Sequence, residues 1–111
     1  MRIIHKELAE KGWFQLSLCE QLGNIGSEVG RALRWKDKDK NNFENAVNRA
    51  LELFDLTLKD QRWKKRLREI ARARELFCDA ITGGKEYRST LKDLDRYFFH
   101  FAFLSRQLVK K

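Results

Sequence analysis

The chain contains no proline, and only six of its 111 residues are glycine. A sheet protein needs turn residues at close intervals, so this scarcity argues against a sandwich or barrel and for helices. There are two cysteines, Cys19 and Cys78, without CxxC spacing. That is too few for a disulfide scaffold, and both fall in apolar helical stretches where inert thiols are expected. No run approaches the roughly 20 apolar residues of a membrane span. Residues 1–11 lack the continuous apolar stretch of a secretory signal. A cytoplasmic protein without membrane association is expected. Glycine-rich phosphate loops, zinc-ligand spacings and a GxSxG elbow are all missing, and only two histidines occur, His5 and His100. No triad has support, and no cofactor or metal is expected.

What the chain has in excess is positive charge. Lysine and arginine number 24 against 16 acids, a net charge of +8. The excess is local. Residues 62–74 hold Arg62, Lys64, Lys65, Arg66, Arg68, Arg72 and Arg74 against the single acid Glu69, which places +6 of the +8 there. A basic surface this dense attracts polyanions, because binding releases counterions condensed on phosphate. Few amide side chains lie among these cations, so backbone or shape recognition is expected rather than base readout. Arg62, Lys64, Lys65, Arg66, Arg68 and Arg72 are the expected contacts to nucleic acid, RNA ahead of DNA. Lys65, Arg68 and Arg72 are expected to form one exposed row on a helix. A solvated face, or a surface for an acidic protein, is the alternative for the same residues.

Apolar residues make up 42%, with three Trp and eight Phe, enough to build a core without staples. The spacing predicts an all-α, antiparallel four-helix bundle over residues 17–111, preceded by a short N-terminal extension, 1–16, whose Trp13 and Phe14 fold back onto the bundle. Ser17 and Glu20 have the spacing of a capping box, followed by the stripe Leu18, Leu22, Ile25, Val29 and Leu33. Beside it run Gly23, Gly26, Ser27 and Gly30. Glycine in a helix costs about 1 kcal/mol relative to alanine, so this track predicts close approach of another helix, ahead of a ligand. A second helix is expected from Asn41 or Asn42, with Phe43, Ala46, Val47, Ala50, Leu51, Phe54 and Leu58 inward and Thr57 bonded to a carbonyl one turn back. A third is expected from an Asp60 cap to Gly83-Gly84, burying Trp63, Leu67, Ile70, Phe77 and Ile81. Arg74 falls on that stripe and is expected to have a carboxylate partner, Glu28 or Asp55, or to reach an edge.

The fourth helix starts near Ser89 or Thr90 and turns Leu91, Leu94, Phe98, Phe101, Ala102, Ser105 and Leu108 inward. Its other side is also apolar: Phe99 and Phe103 lie there with Arg96, His100 and Gln107. Since no helix of a four-helix bundle is central, this second face is expected to be a homo-oligomer contact.

Arg96 and His100, one turn apart, share a direction. A guanidinium beside an imidazole suits metal-free RNA cleavage, one stabilising the pentavalent phosphate and the other moving the proton. The pair resembles the Arg–His motif of HEPN domains, small helical dimers, although three residues separate the two here against four to six in that motif. The resemblance implies a ribonuclease or toxin using Arg96 and His100. Residues 22–36 and 49–57 resemble a family of short uncharacterised prokaryotic proteins, which implies a bacterial or archaeal source. In general shape the chain also resembles the four-helix accessory proteins of diversity-generating retroelements. That resemblance implies a non-catalytic, oligomeric partner of nucleic acid and of a protein such as a reverse transcriptase. A nucleotidyltransferase is the other protein partner to expect.

Overall fold

The computed structural model describes residues 12–109, and for residues 102 and 104–109 the backbone alone. Four α-helices lie wholly within this span: α1 Leu18–Trp35, α2 Lys40–Lys59, α3 Leu67–Ile81 and α4 Leu91–Val109. A 3-10 turn, Gln61–Arg66, joins α2 to α3. The described residues contain no strand, so the fold class is all-α. Most of the N-terminal extension, 1–11, lies outside them, as do the side chains of Ala102, Ser105, Gln107 and Leu108.

Local chemistry starts and stops each helix. Ser17 Oγ accepts the Glu20 N–H at 3.1 Å, and the Glu20 carboxylate accepts the Ser17 N–H at 2.8 Å, completing the capping box. The N-cap of α2 is Asp39 rather than Asn41 or Asn42. Its backbone is extended and its carboxylate accepts the Asn42 N–H at 3.0 Å. A carboxylate there also meets the positive end of the helix dipole, which an asparagine amide does less well. Thr90 Oγ1 accepts the Asp93 N–H at 3.1 Å and opens α4. At the end of α3, Gly83 and Gly84 both take positive φ, and the Gly84 N–H returns to the Asp79 carbonyl at 2.7 Å. That bond closes a Schellman turn, and a side chain at Gly84 would strike the Ser89 carbonyl.

The expected third helix is broken. Asp60 ends α2 and caps the 3-10 turn, accepting the Arg62 N–H at 3.1 Å. Trp63 (φ −99°, ψ 23°) and Arg66 (φ −111°, ψ 7°) leave α geometry, and α-helix resumes only at Leu67. Leu67 is consequently exposed, and Trp63 is half-buried instead of fully inward.

Helix α1 packs against both α4 and α2, and α3 packs against α2 and α4. Phe54, Phe77 and Phe98, from α2, α3 and α4, meet at the centre with no exposed surface. The Phe54 ring centroid stands 5.9 Å from that of Phe77, tilted, and 5.8 Å from that of Phe98, edge-on, each pair contributing about 1 kcal/mol beyond burial. Gly26 explains part of the small-residue track: a Cβ there would come within 2.5 Å of the Phe98 Cβ. Helices α1 and α4 approach this closely because α1 offers hydrogen where other residues offer carbon.

Candidate nucleic-acid interface

The basic segment is anchored from below by a buried polar network. Gln21, with no exposed surface, donates from Nε2 to the Trp13 carbonyl at 2.8 Å and to Asp60 Oδ2 at 3.0 Å. Its Oε1 accepts the Trp63 indole N–H at 2.9 Å. Trp13 is itself buried and donates its indole N–H to Thr57 Oγ1 at 3.0 Å, while Thr57 donates to the Leu53 carbonyl at 2.9 Å. Every buried side-chain nitrogen and oxygen among the described residues has a hydrogen-bond partner. A satisfied network of this kind holds one geometry, because each alternative leaves a polar atom unpaired in low dielectric. The tryptophans that frame the network, Trp13 and Trp63, come from opposite ends of its sequence span.

Arg62 belongs to this network. Its Nε and Nη2 grip the two Asp60 oxygens at 3.0 and 2.7 Å, and Nη2 also donates to the Leu16 carbonyl at 2.7 Å. The guanidinium lies over the Trp63 ring, 4.4 Å from its centroid. The Arg62 fork holds the Asp60 carboxyl at about 2, against the resistance of burial and with help from Gln21 and the Arg62 amide. The structure thus uses Arg62 to tie the 3-10 turn to the N-terminal residues and α1.

The remaining cations divide by partner. Arg66 Nε bonds Glu69 at 2.8 Å, and Arg72 lies 3.7 Å from Glu75 and stacks on the Tyr87 ring at 4.4 Å. Arg74 pairs with Asp55 at 3.0 Å, one of its two expected partners, and points Nη1 at the Cys78 sulfur, 3.8 Å away. Lys64, Lys65 and Arg68 are exposed and, among the described residues, have no ion-pair partner. Arg68 and Arg72 share a face of α3. Lys65 stands on the 3-10 turn, across the Arg66 break, so the helical spacing expected to align it with them does not hold. All six are exposed and lie within residues 62–72, on two elements.

Sequence reasoning missed Asp79. This buried carboxylate accepts the N–H groups of Glu86, Tyr87 and Ser89 and the Ser89 hydroxyl, at 2.8 to 3.2 Å. Burial pushes its carboxyl up, and these four donors outweigh it and hold it below the ordinary value. Asp79 thereby fixes the 82–90 loop, where Arg88 is held at φ 58°, and places Tyr87 beneath Arg72. No local signal marks it, since its partners lie seven to ten residues away.

On α4, Arg96, Phe99, His100 and Phe103 are all exposed. Phe99 and Phe103 edge a groove of about 400 Å³ whose other wall is the Gly23–Gly26–Gly30 side of α1, the side that faces α4. Arg96 and His100 stand one turn apart on the outer surface, clear of that groove's lining. Gln107 lies outside the described side chains.

No helix among the described residues is long and apolar enough to cross a membrane. No protein-family model, curated protein or solved structure matches the chain.

Proposed function

We propose that this protein is a small, non-catalytic accessory protein that binds nucleic-acid backbone, RNA ahead of DNA, through residues 62–72. The observation that carries the reading is the state of Lys64, Lys65 and Arg68. They are exposed, unneutralised by any described acid, and set on a backbone that the Asp60–Arg62–Gln21–Trp63 network pins. Cations held on a rigid frame lose little freedom on meeting phosphate, which favours binding. The break at Arg66 favours RNA: a basic run split between a 3-10 turn and a helix is not the continuous recognition helix that enters a B-DNA major groove. In the same reading the short connections, four residues between α1 and α2 and one before the 3-10 turn, turn successive helices back on one another as an antiparallel bundle. The second face of α4 carries self-association. The protein works in the cytoplasm, beside a nucleic-acid enzyme such as a reverse transcriptase or nucleotidyltransferase.

The test is Lys65→Glu with Arg68→Glu. Both side chains are exposed, so thermal stability should be unchanged while RNA affinity falls at least tenfold, about 1.4 kcal/mol. Unchanged affinity would remove the segment from the binding surface and leave it for an acidic protein partner. Exposure of Arg96 and His100 on one face keeps a ribonuclease as the second reading. It requires RNA cleavage in EDTA that is lost in His100→Ala, and intact RNA with the wild type eliminates it.

A further inference from the structure

The groove between α1 and α4 carries both halves of a contact. Phe99 and Phe103 project from its α4 edge with 67% and 50% of their surface exposed. Aromatic rings that open to water on a single face are a protein-contact signature. Next to these knobs the α1 side is hollow. Gly26 is covered by Phe98, and the Asp95 carboxylate stands 3.0 Å from where a Gly30 Cβ would be, but exposed Ser27, flanked by Gly23 and Gly30, borders a space of about 400 Å³. The charges are also split. Arg34 lines the α1 wall and Asp95 the α4 wall, and neither has an ion-pair partner among the described residues. Arg31, on the same wall, is held by Glu28 at 3.3 Å.

Resting on the reading that α4 self-associates, we propose that the occupant of this groove is a second copy of the chain, related by a two-fold axis. A surface with knob and hole side by side, and one free charge of each sign, is complementary to itself. In a two-fold contact each feature is used twice. Phe99 and Phe103 of one copy fill the Gly23–Ser27–Gly30 floor of the other, and Arg34 of each meets Asp95 of the other. The contact leaves the basic segment free. Tyr97, on the opposite flank of α4, lines a small recess with Arg66 and Glu69, whereas Phe99 faces the groove. A dimer therefore presents two basic segments to one nucleic acid.

Reciprocity gives a sharp test. Arg34→Asp alone leaves acid facing acid across the axis, and Asp95→Arg alone leaves base facing base. Each variant should run as a monomer in sedimentation or light scattering, whereas wild type has twice the 13.3 kDa chain mass. An equimolar mixture of the two should recover the doubled mass, because each then supplies the charge the other lacks. Phe99→Glu with Phe103→Glu, at exposed positions, should give a folded monomer by circular dichroism even if Asp95→Arg misfolds. A monomeric wild type overturns the proposal, as does a dimer that survives the phenylalanine variant. RNA that protects Phe99 and Phe103 from solvent on a monomer also overturns it and gives the groove to base stacking. RNA anisotropy on the same samples keeps the two readings apart. A monomer that still binds RNA removes only the two-fold contact, and a dimer without RNA affinity removes only the basic surface.

Discussion

Arg62 has the same charge as Lys64 and Lys65, yet its guanidinium is already occupied by two Asp60 oxygens and a backbone carbonyl. The pair has a pH signature. Because the Asp60 carboxyl is lowered to about 2, the unfolded chain takes up its proton first as pH falls. Its stabilisation is therefore complete above the ordinary carboxylate value near 4 and is lost as pH drops toward 2. The magnitude is about 1–2 kcal/mol, at the lower end of what the shift allows because Arg62 is open to water. Asp60→Asn should cost that amount in urea denaturation at neutral pH and should flatten the decline below pH 4. Asp79, lowered in the same direction, leaves a residual slope. A variant that keeps the full wild-type slope would move the acid sensitivity away from Asp60. Gly26 supplies a second residue-scale outcome. Alanine is the better helix former by about 1 kcal/mol, but its Cβ would collide with Phe98, so Gly26→Ala should lower stability by about 1–3 kcal/mol. A rise in melting temperature would contradict the close α1–α4 approach.

Among the elements, what the sequence made legible was what is decided within one turn. The Ser17–Glu20 box, the Thr57 back-bond and the glycine pair after α3 are local devices, and each stands where its spacing put it. Arg74 does both things expected of a guanidinium on an apolar stripe: it reaches the open edge and pairs there with the exposed Asp55. The break in the third helix was not legible. Its periodicity runs unbroken through Trp63, and the competing bonds come from Gln21, 42 residues away, and from an Asp60 already committed to capping. Arg62 left the set of free cations through Asp60, two residues away, and the Leu16 carbonyl, 46 residues away. In Trp63→Phe the indole donor is missing and a buried Gln21 oxygen is orphaned, at a cost of about 1–3 kcal/mol. Hydrogen exchange should then rise across 61–66 more than across α3. Uniform protection in the variant would show that the turn does not depend on Gln21.

At the scale of the whole molecule, the excess charge and the apolar surplus fall on different flanks of the helices. The free cations of the basic run, Lys64, Lys65 and Arg68, occupy the 3-10 turn and the start of α3, while the open aromatic groove lies between α1 and α4. A protein with these two surfaces can associate through one and hold a polyanion on the other. The all-α class and the position of the basic run were plain from composition. The sorting of its cations into paired and free needed the folded chain. The most direct test is fluorescence anisotropy with labelled RNA in EDTA, titrated at about 50 and about 200 mM salt, for wild type and for Lys65→Glu/Arg68→Glu. Binding without cleavage is expected, with log K falling against log salt by about 0.7 per contacted phosphate on a single strand and about four contacts or more. The double variant should show a shallower slope and weaker binding. No binding by the wild type at the lower salt, or a variant indistinguishable from it, would show that residues 62–72 are not a nucleic-acid surface.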